Sequence, residues 1–415
     1  MYLKKHPKTL LVIALVWPEP ASTAAGVRMM QLLQVFKNQG YRITIASAAS
    51  KSEYSADMVA LGYETAEIRM NDGSFDVFVK ELNPDVVLFD RFLTEEQFGW
   101  RVAENCPQAL RVLDTEDLHS LRHVREQCFK KEIPFTTEAW LADDKTKREI
   151  ASIYRCDLSL IISSYEMKLL TEVLKIDKSL LLLLPFMVNE IGNDTSWKTF
   201  EQRQDFIFIG GGKHAPNIDA VKCLKSMIWP LVSKQLPEAT MHIYGAYLPQ
   251  QLLEMHNPKE KFLVNGRADN VDTIMQNAKV CLAPLRFGAG IKGKLLSAMQ
   301  NGTPSVTTTL GAEGMHGILD WNGYIENDHS AFVAAAVRLY TKKEAWQTAQ
   351  DQAKTLINTL YNKTSLESIL ANSTAQLQQH IATHRKQNFI GSLLQHQTMT
   401  ATKFMSKWIE EKNRG

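Results

Sequence analysis

Short apolar runs alternate with amphipathic stretches along most of this sequence, and the alternation stops once and then restarts. Thr9–Val16 and Tyr41–Ala46 read as strands flanking a helix over Gly26–Asn38. The series continues with a strand at Asp85–Phe89, a helix near Thr94–Glu104 and a strand at Leu110–Leu113. Thr136–Tyr154 is a polar helical stretch, Leu158–Ser163 a strand, Tyr165–Leu174 a helix and Leu180–Leu184 a strand. Strands that are apolar throughout, rather than at alternate residues, are buried on both faces, and helical crossovers between them make the sheet parallel. Between Met187 and Gln204 the pattern lapses into polar residues that include Gly192, Asn193 and Asp194. It resumes with a strand at Asp205–Ile209, a helix at Ala215–Leu236 and strands at Met241–Tyr244 and Phe262–Val264. A helix over Val271–Ala278 and a strand at Val280–Ala283 follow, and from Ala331 the chain is mainly helical.

The expected fold class is α/β, with two Rossmann-like doubly wound domains in tandem. Residues 1–190 form the first, 191–204 a linker, 205–375 the second and 376–415 terminal helices. A chain of 415 residues is too long for one ordinary core, which agrees with two domains. Ligands of such sheets sit beyond the carboxyl ends of the strands, so the cleft between domains is the expected site.

The net charge of +2 gives no reason to expect a nucleic-acid partner. The five cysteines, Cys106, Cys128, Cys156, Cys223 and Cys281, are odd in number, widely spaced and free of CxxC or zinc-ligand spacing, so reduced thiols in a cytoplasmic protein are expected. The start of the chain, MYLKKHPKTLLVIALVWPEPASTAAG, resembles a signal peptide. A buried first strand is the preferred reading, because Gly26 opens an amphipathic helix and a second strand follows at βαβ spacing. No other segment has the ~20 uninterrupted apolar residues of a membrane span.

The segment Arg286–Met315, RFGAGIKGKLLSAMQNGTPSVTTTLGAEGM, concentrates chemistry. It follows a strand ended by Pro284. Gly288 and Gly290 permit positive φ and close approach of backbone to a ligand. A helix beginning near Ile291 would offer unpaired N–H groups, and Arg286, Lys292 and Lys294 would add charge-assisted hydrogen bonds. A diphosphate meets these requirements, whereas an isolated glycine turn with solvated lysines would carry no such meaning.

The segment is not isolated. Gly288, Gly290, Lys294, Ala298-Met299, Gly302, Pro304, Val306 and Gly311–Gly314 fit the pattern of glycosyltransferase family 4, the glycosyl transferases of group 1, and the sequence resembles that family. Upstream, FIFIGGGKHAPNIDAVK resembles the opening of its donor domain, at Gly210, Lys213 and Pro216-Asn217. The resemblance runs through the whole chain and is strongest between Phe206 and Met315. It implies the GT-B fold, with terminal helices returning to the first domain, and retaining transfer of a sugar from a nucleoside-diphosphate sugar. It implies no obligatory cofactor or catalytic cation. The carboxylate with which the family holds the nucleotide ribose is replaced here by Ser297, and Glu313 in the closing loop could contact the donor.

Two regions complete the expected site. In VWPEPASTAAGVRMM, Ala25 and Gly26 belong to a loop of small residues that suits either close approach of a donor phosphate or acceptor or a compact turn. LDTEDLHSLR follows the strand Leu110–Leu113, which places Asp114, Glu116, Asp117 and His119 near a strand's carboxyl end. The resemblance makes His119 and Asp117 the catalytic candidates, although Asp117 could instead cap a helix and the cluster could conceivably bind a metal. Arg122 could meet an acceptor anion or pair with Asp114. SSYEMKLL and LLPFMVN are assigned to the domain edge rather than to chemistry.

Function follows as an expectation: a glycosyltransferase acting on a glycan, lipid-linked or protein acceptor, cytoplasmic, with contact to the inner membrane face conceivable through the last helix. There Leu394, Ala401, Met405 and Trp408 recur at helical spacing, with Phe404 and Ile409 beside them, and the preferred reading is a stripe packed on the protein with its charges in water. A nucleotide-sugar-binding protein without turnover and a sugar-nucleotide epimerase are the alternatives.

Overall fold

The computed structural model describes residues 8–192 and 195–414. Asn193 and Asp194 of the expected linker, and the first seven residues of the signal-like start, lie outside them. The first sheet contains β1 (Thr9–Ala14), β2 (Arg42–Ser47), β3 (Glu64–Glu67), β4 (Val86–Asp90), β5 (Leu110–Asp114), β6 (Leu158–Ile161) and β7 (Leu181–Leu183). Their order is β3-β2-β1-β4-β5-β6-β7, every pair parallel. The second contains β8 (Gln204–Ile209), β9 (Met241–Tyr244), β10 (Phe262–Gly266), β11 (Ala278–Ala283), β12 (Ser305–Thr307) and β13 (Gly323–Ile325), in the order β10-β9-β8-β11-β12-β13, again parallel.

Leu10 to Ile13 are fully buried between β2 and β4, so the apolar run near the start is a central strand. The edge strands β3 and β13 have no sequence signal, because ETAE and GYI pair on one side only and need no apolar run. The helical stretch expected over Thr136–Tyr154 is two helices, Thr137–Ala142 and Asp144–Arg155, divided at Asp143, whose side chain accepts from Lys145 N and caps the second. The helix expected over Ala215–Leu236 runs from Ala215 through a wide π turn at Leu224–Ile228 into Trp229–Gln235. Pro230 thereby falls in the first turn of a new helical run, where its missing N–H is not needed.

The chain passes between the sheets twice at one place. Val188 N donates to Tyr361 O at 2.7 Å, and Lys363 N donates to Val188 O at 2.8 Å. The helix Lys363–Gln387 then packs Leu366 and Leu370 into the core of the first sheet, beside Leu10, Val12 and Leu33. Arg385 secures that return, reaching both carboxylate oxygens of Asp157 at 2.7 Å. The last helix, Phe389–Arg414, lies against the helices Arg91–Asn105 and Asp144–Arg155.

Candidate functional site

Both sheets reverse strand order between two neighbours, β1 and β4 in the first, β8 and β11 in the second. The loops leaving these four strands line a shared cavity of about 950 Å³. That volume lies within the range of small-molecule sites.

On the first-domain wall, Thr23 caps the helix Ala24–Asn38 by accepting from Gly26 N at 3.0 Å. Gly26 is needed for packing within its own loop, since a Cβ there would come 2.4 Å from the backbone of Glu19. Ala24 meets the other domain instead, and a Cβ at Gly293 would come 2.7 Å from the Ala24 methyl. The small residues therefore serve compactness of the loop and close approach of the second domain.

Two non-glycine residues with left-handed backbone stand at the strand ends beside the cavity, Arg91 (φ 69°) after β4 and Glu116 (φ 62°) after β5. Such strain persists where the surroundings over-determine it and concentrates at functional sites. Asp117 and His119 also line the cavity, with His119 Nε2 3.2 Å from Asp117 Oδ1. Burial pulls the His119 imidazole down to about 3, so it is neutral at physiological pH. Burial pushes the Asp117 carboxyl up, but Arg122, His119, His214 and Arg91 together outweigh this and hold it below the usual value. Asp117 Oδ1 has no aligned hydrogen-bond donor, which leaves a buried acceptor in the cavity wall. Asp117 does not cap the following helix. Its first N–H groups go elsewhere: Glu149 accepts from His119 N at 2.8 Å and Ser120 N at 2.9 Å, and Glu166 accepts from Leu118 N at 2.9 Å.

Arg122 pairs with Asp117, not Asp114. Asp114 is fully buried against Arg28, accepting from its Nε at 2.9 Å, and is therefore unavailable as a metal ligand. Among the described residues, no group of three or more His, Cys, Asp and Glu is arranged to hold a metal ion.

On the opposite wall, the helix expected near Ile291 starts at Gly293, with Lys292 as the preceding residue. Lys292 Nζ donates to Gly290 O at 2.8 Å, and Lys294 Nζ donates to Asn217 Oδ1 at 2.8 Å. Both lysines line the cavity, and burial pulls both ammonium groups down to about 8. Gly210, Gly288 and Ser297 line it too, as does Lys213, whose Nζ lies 3.5 Å from the centre of the Tyr247 ring.

Three expected donor contacts are placed differently. Arg286 is not among the lining residues; it forms a two-point ion pair with Asp219, at 2.6 and 2.8 Å, and lies over the Phe129 ring. Glu313 is held by Arg125 through two hydrogen bonds, at 2.7 and 2.9 Å. Gly290, with φ 64°, presses against the first domain, where an added Cβ would come 2.7 Å from Asp117 Cβ. Gly290→Ala is expected to cost about 1–3 kcal/mol, from the clash and the strained φ. Chemical denaturation checks this; a variant as stable as the parent refutes the contact.

Sequence reasoning missed the groups that join the domains. Glu166, assigned above to the domain edge, accepts from Gly290 N at 2.9 Å with the same Oε1 that takes Leu118 N. Burial, with Asp117 nearby, pushes its carboxyl up to about 8. Arg125 Nη1 also donates to Gly288 O at 2.9 Å. On the far side of the cleft Tyr247 Oη donates to Glu19 at 3.0 Å. No spacing or periodicity marks any of these; the only signal was an acidic residue, Glu166, among the apolar residues of SSYEMKLL.

The comparisons agree with this architecture. Residues 203–342 match the family model described as glycosyl transferases group 1. No curated protein matches the sequence significantly. Among solved structures, the chain is similar to sucrose-phosphate synthase from Thermosynechococcus elongatus, with a TM-score of 0.63 at 14% identity over 89% of this chain and 99% of that one. It is also similar to the pneumococcal O-GlcNAc transferase GtfA in complex with UDP and GlcNAc, with a TM-score of 0.63 at 13% identity over 90% and 99%. Anabaena HepE in complex with UDP gives a TM-score of 0.62 at 10% identity over 89% and 100%. The chain is thus a protein of the GT-B glycosyltransferase fold that carries a glycosyl transferases group 1 domain over residues 203–342.

Proposed function

We propose that this protein is a retaining glycosyltransferase that moves a sugar from a nucleoside-diphosphate sugar to an acceptor hydroxyl on a glycan, a lipid-linked sugar or a protein. The observation that carries this reading is the pair Lys292, buried, and Lys294, half-buried, in the wall of a 950 Å³ cavity beside the Gly288–Gly290 turn. The second domain, 205–375, would hold the donor, and the first, 1–190, the acceptor. UDP in the HepE and GtfA structures supports a nucleotide donor here.

As the nucleoside diphosphate departs, negative charge builds on its β-phosphate. Cations fixed in a site with little water stabilise that charge without reorganising. Ser297 and Gly210, in the same wall, would face the nucleotide. Asp117 Oδ1, buried and without a donor, would accept a substrate hydroxyl once the sugar enters the cleft. His119, neutral and 3.2 Å from that oxygen, adds a polar contact on the sugar's side of the cleft. Attack from the leaving-group face, with the departing phosphate as base, would retain the anomer. A cytoplasmic setting goes with five buried, unpaired cysteines.

Calorimetry with UDP-, GDP- and ADP-sugars, followed by anomer analysis of the product, tests the reading. Binding of one donor and transfer with the donor's anomeric configuration are expected; an inverted product would refute retention. Tight binding with neither transfer nor donor hydrolysis would favour a nucleotide-sugar-binding protein, which the Ser297 replacement already suggests. Ser297→Glu is expected to tighten donor binding about tenfold, because a hydrogen bond to a charged group contributes about 1.5–3 kcal/mol against about 0.5–1.5 for a neutral one. Unchanged affinity would show that position 297 does not face the ribose.

A further inference from the structure

The helix Phe389–Arg414 docks on the protein through polar groups and turns apolar ones outward, the reverse of an ordinary surface helix. Towards the protein, Ser406 Oγ accepts from Arg101 Nη2 at 3.0 Å and Glu410 accepts from the same nitrogen at 2.6 Å. Lys403 reaches Glu104 at 2.8 Å, and Gln395 donates to Arg155 O at 3.0 Å. Towards solvent, Phe404, Met405 and Trp408 are 64%, 60% and 60% exposed, and Phe389, Ile390 and Leu393 are exposed nearer the helix start. Phe404 and Trp408 are one turn apart, and Leu393 precedes Phe404 by about three turns, so they share a side. The packed stripe expected from the sequence is therefore overturned for Ala401, Phe404, Met405 and Trp408, which are exposed, while Leu394 and Ile409 are half-buried.

Charge indicates what covers the exposed apolar face. Outside the pairs Arg385–Asp157, Lys403–Glu104 and Arg101–Glu410, residues 376–415 expose Lys386, Lys407 and Lys412 against Glu411, which leaves this end of the chain positive. Lys412 Nζ lies 5.4 Å from the centre of the Trp408 ring, with its stem along an aromatic that suits a water–lipid boundary. A second copy of this chain would set the same cations against one another. Anionic headgroups would meet them with opposite charge, while Phe404, Met405 and Trp408 entered the acyl boundary. We infer that this helix lies flat on a lipid surface bearing anionic headgroups. Among the described residues no helix is long and apolar enough to cross a membrane, so the contact is with the surface only.

The inference does not rest on sugar transfer, and its test needs no donor. The full chain is floated with vesicles of pure phosphatidylcholine, or of phosphatidylcholine with about a third phosphatidylglycerol. Binding to the anionic vesicles, weakened by high salt, is expected. Phe404→Ser with Trp408→Ser should lower that binding at least about tenfold at an unchanged melting temperature, since both side chains are exposed. Lys407→Glu with Lys412→Glu should remove the preference for anionic vesicles. Wild-type protein that stays unbound, or serine variants that float equally, would overturn the inference. So would light scattering that shows a wild-type dimer dispersed by the serine variants, because the face would then be an interface between copies.

Discussion

Lys294→Met is expected to lower kcat/KM for sugar transfer by about 10²–10³, the usual cost of deleting one preorganised donor at a site of developing charge. Methionine matches the lysine stem to Cε and omits only the ammonium, so the loss reports the missing charge rather than a large void. Asn217 keeps one anchor, its Nδ2 donating to Gly211 O at 3.0 Å, and the loop should hold. The pH dependence has a definite sign. Lys292 and Lys294 are pulled down to about 8 by burial, so both are mostly charged at neutral pH and lose protons as pH rises through that value. In the wild type, kcat/KM should therefore fall above about pH 8. A bound diphosphate raises both pKa values again, so kcat at saturating donor should fall later than kcat/KM. Steady-state kinetics between pH 6 and about 9.5 test both parts. Activity within threefold of wild type for Lys294→Met would remove the basis of the proposed function.

Arg125→Met is expected to loosen the two domains. Arg125 sits on the helix His119–Lys130 of the first domain and makes three hydrogen bonds to the second, one to Gly288 O and two to Glu313. Its side chain and that of Glu313 are 6% and 17% exposed. Removing one partner of a buried pair costs about 3–5 kcal/mol, because the other charge stays unpaired. Here Glu313 can regain water if the domains separate, so the cost should emerge as opening rather than unfolding. Small-angle scattering should show a larger radius of gyration without donor, and kcat/KM should fall about a hundredfold, the equivalent of roughly 3 kcal/mol. Glu313→Gln in the Arg125→Met background should restore part of both. A variant that matches wild type in scattering and kinetics would show that this pair does not hold the cleft.

These expectations depend on contacts of different legibility. The Gly288–Lys294 segment was readable because its parts are adjacent: a strand end, two glycines with positive φ and two lysines at a helix start. The approach of Ala24 to Gly293 was readable only as a preference for small residues, since nothing in the sequence says what comes near. Arg286 and Glu313 were read as donor contacts because they flank the motif. Asp219, on the helix Ala215–Cys223, and Arg125, on a helix of the other domain, take their charges instead. The last helix shows the same failure in reverse, its apolar stripe suggesting packing while Arg101, far away in sequence, docks the polar face.

By itself the sequence determined the two parallel sheets and the glycine turn that leads into the helix Gly293–Gln300, because periodicity and glycine act over a few neighbouring residues. Tertiary structure alone decided which charges remain free to meet a ligand. Glu166 and Gly290 are 124 residues apart and Arg125 and Gly288 are 163 apart, yet each pair is within 3 Å. A charged side chain's role depends on the partner that reaches it through space, and local pattern records burial but not that partner.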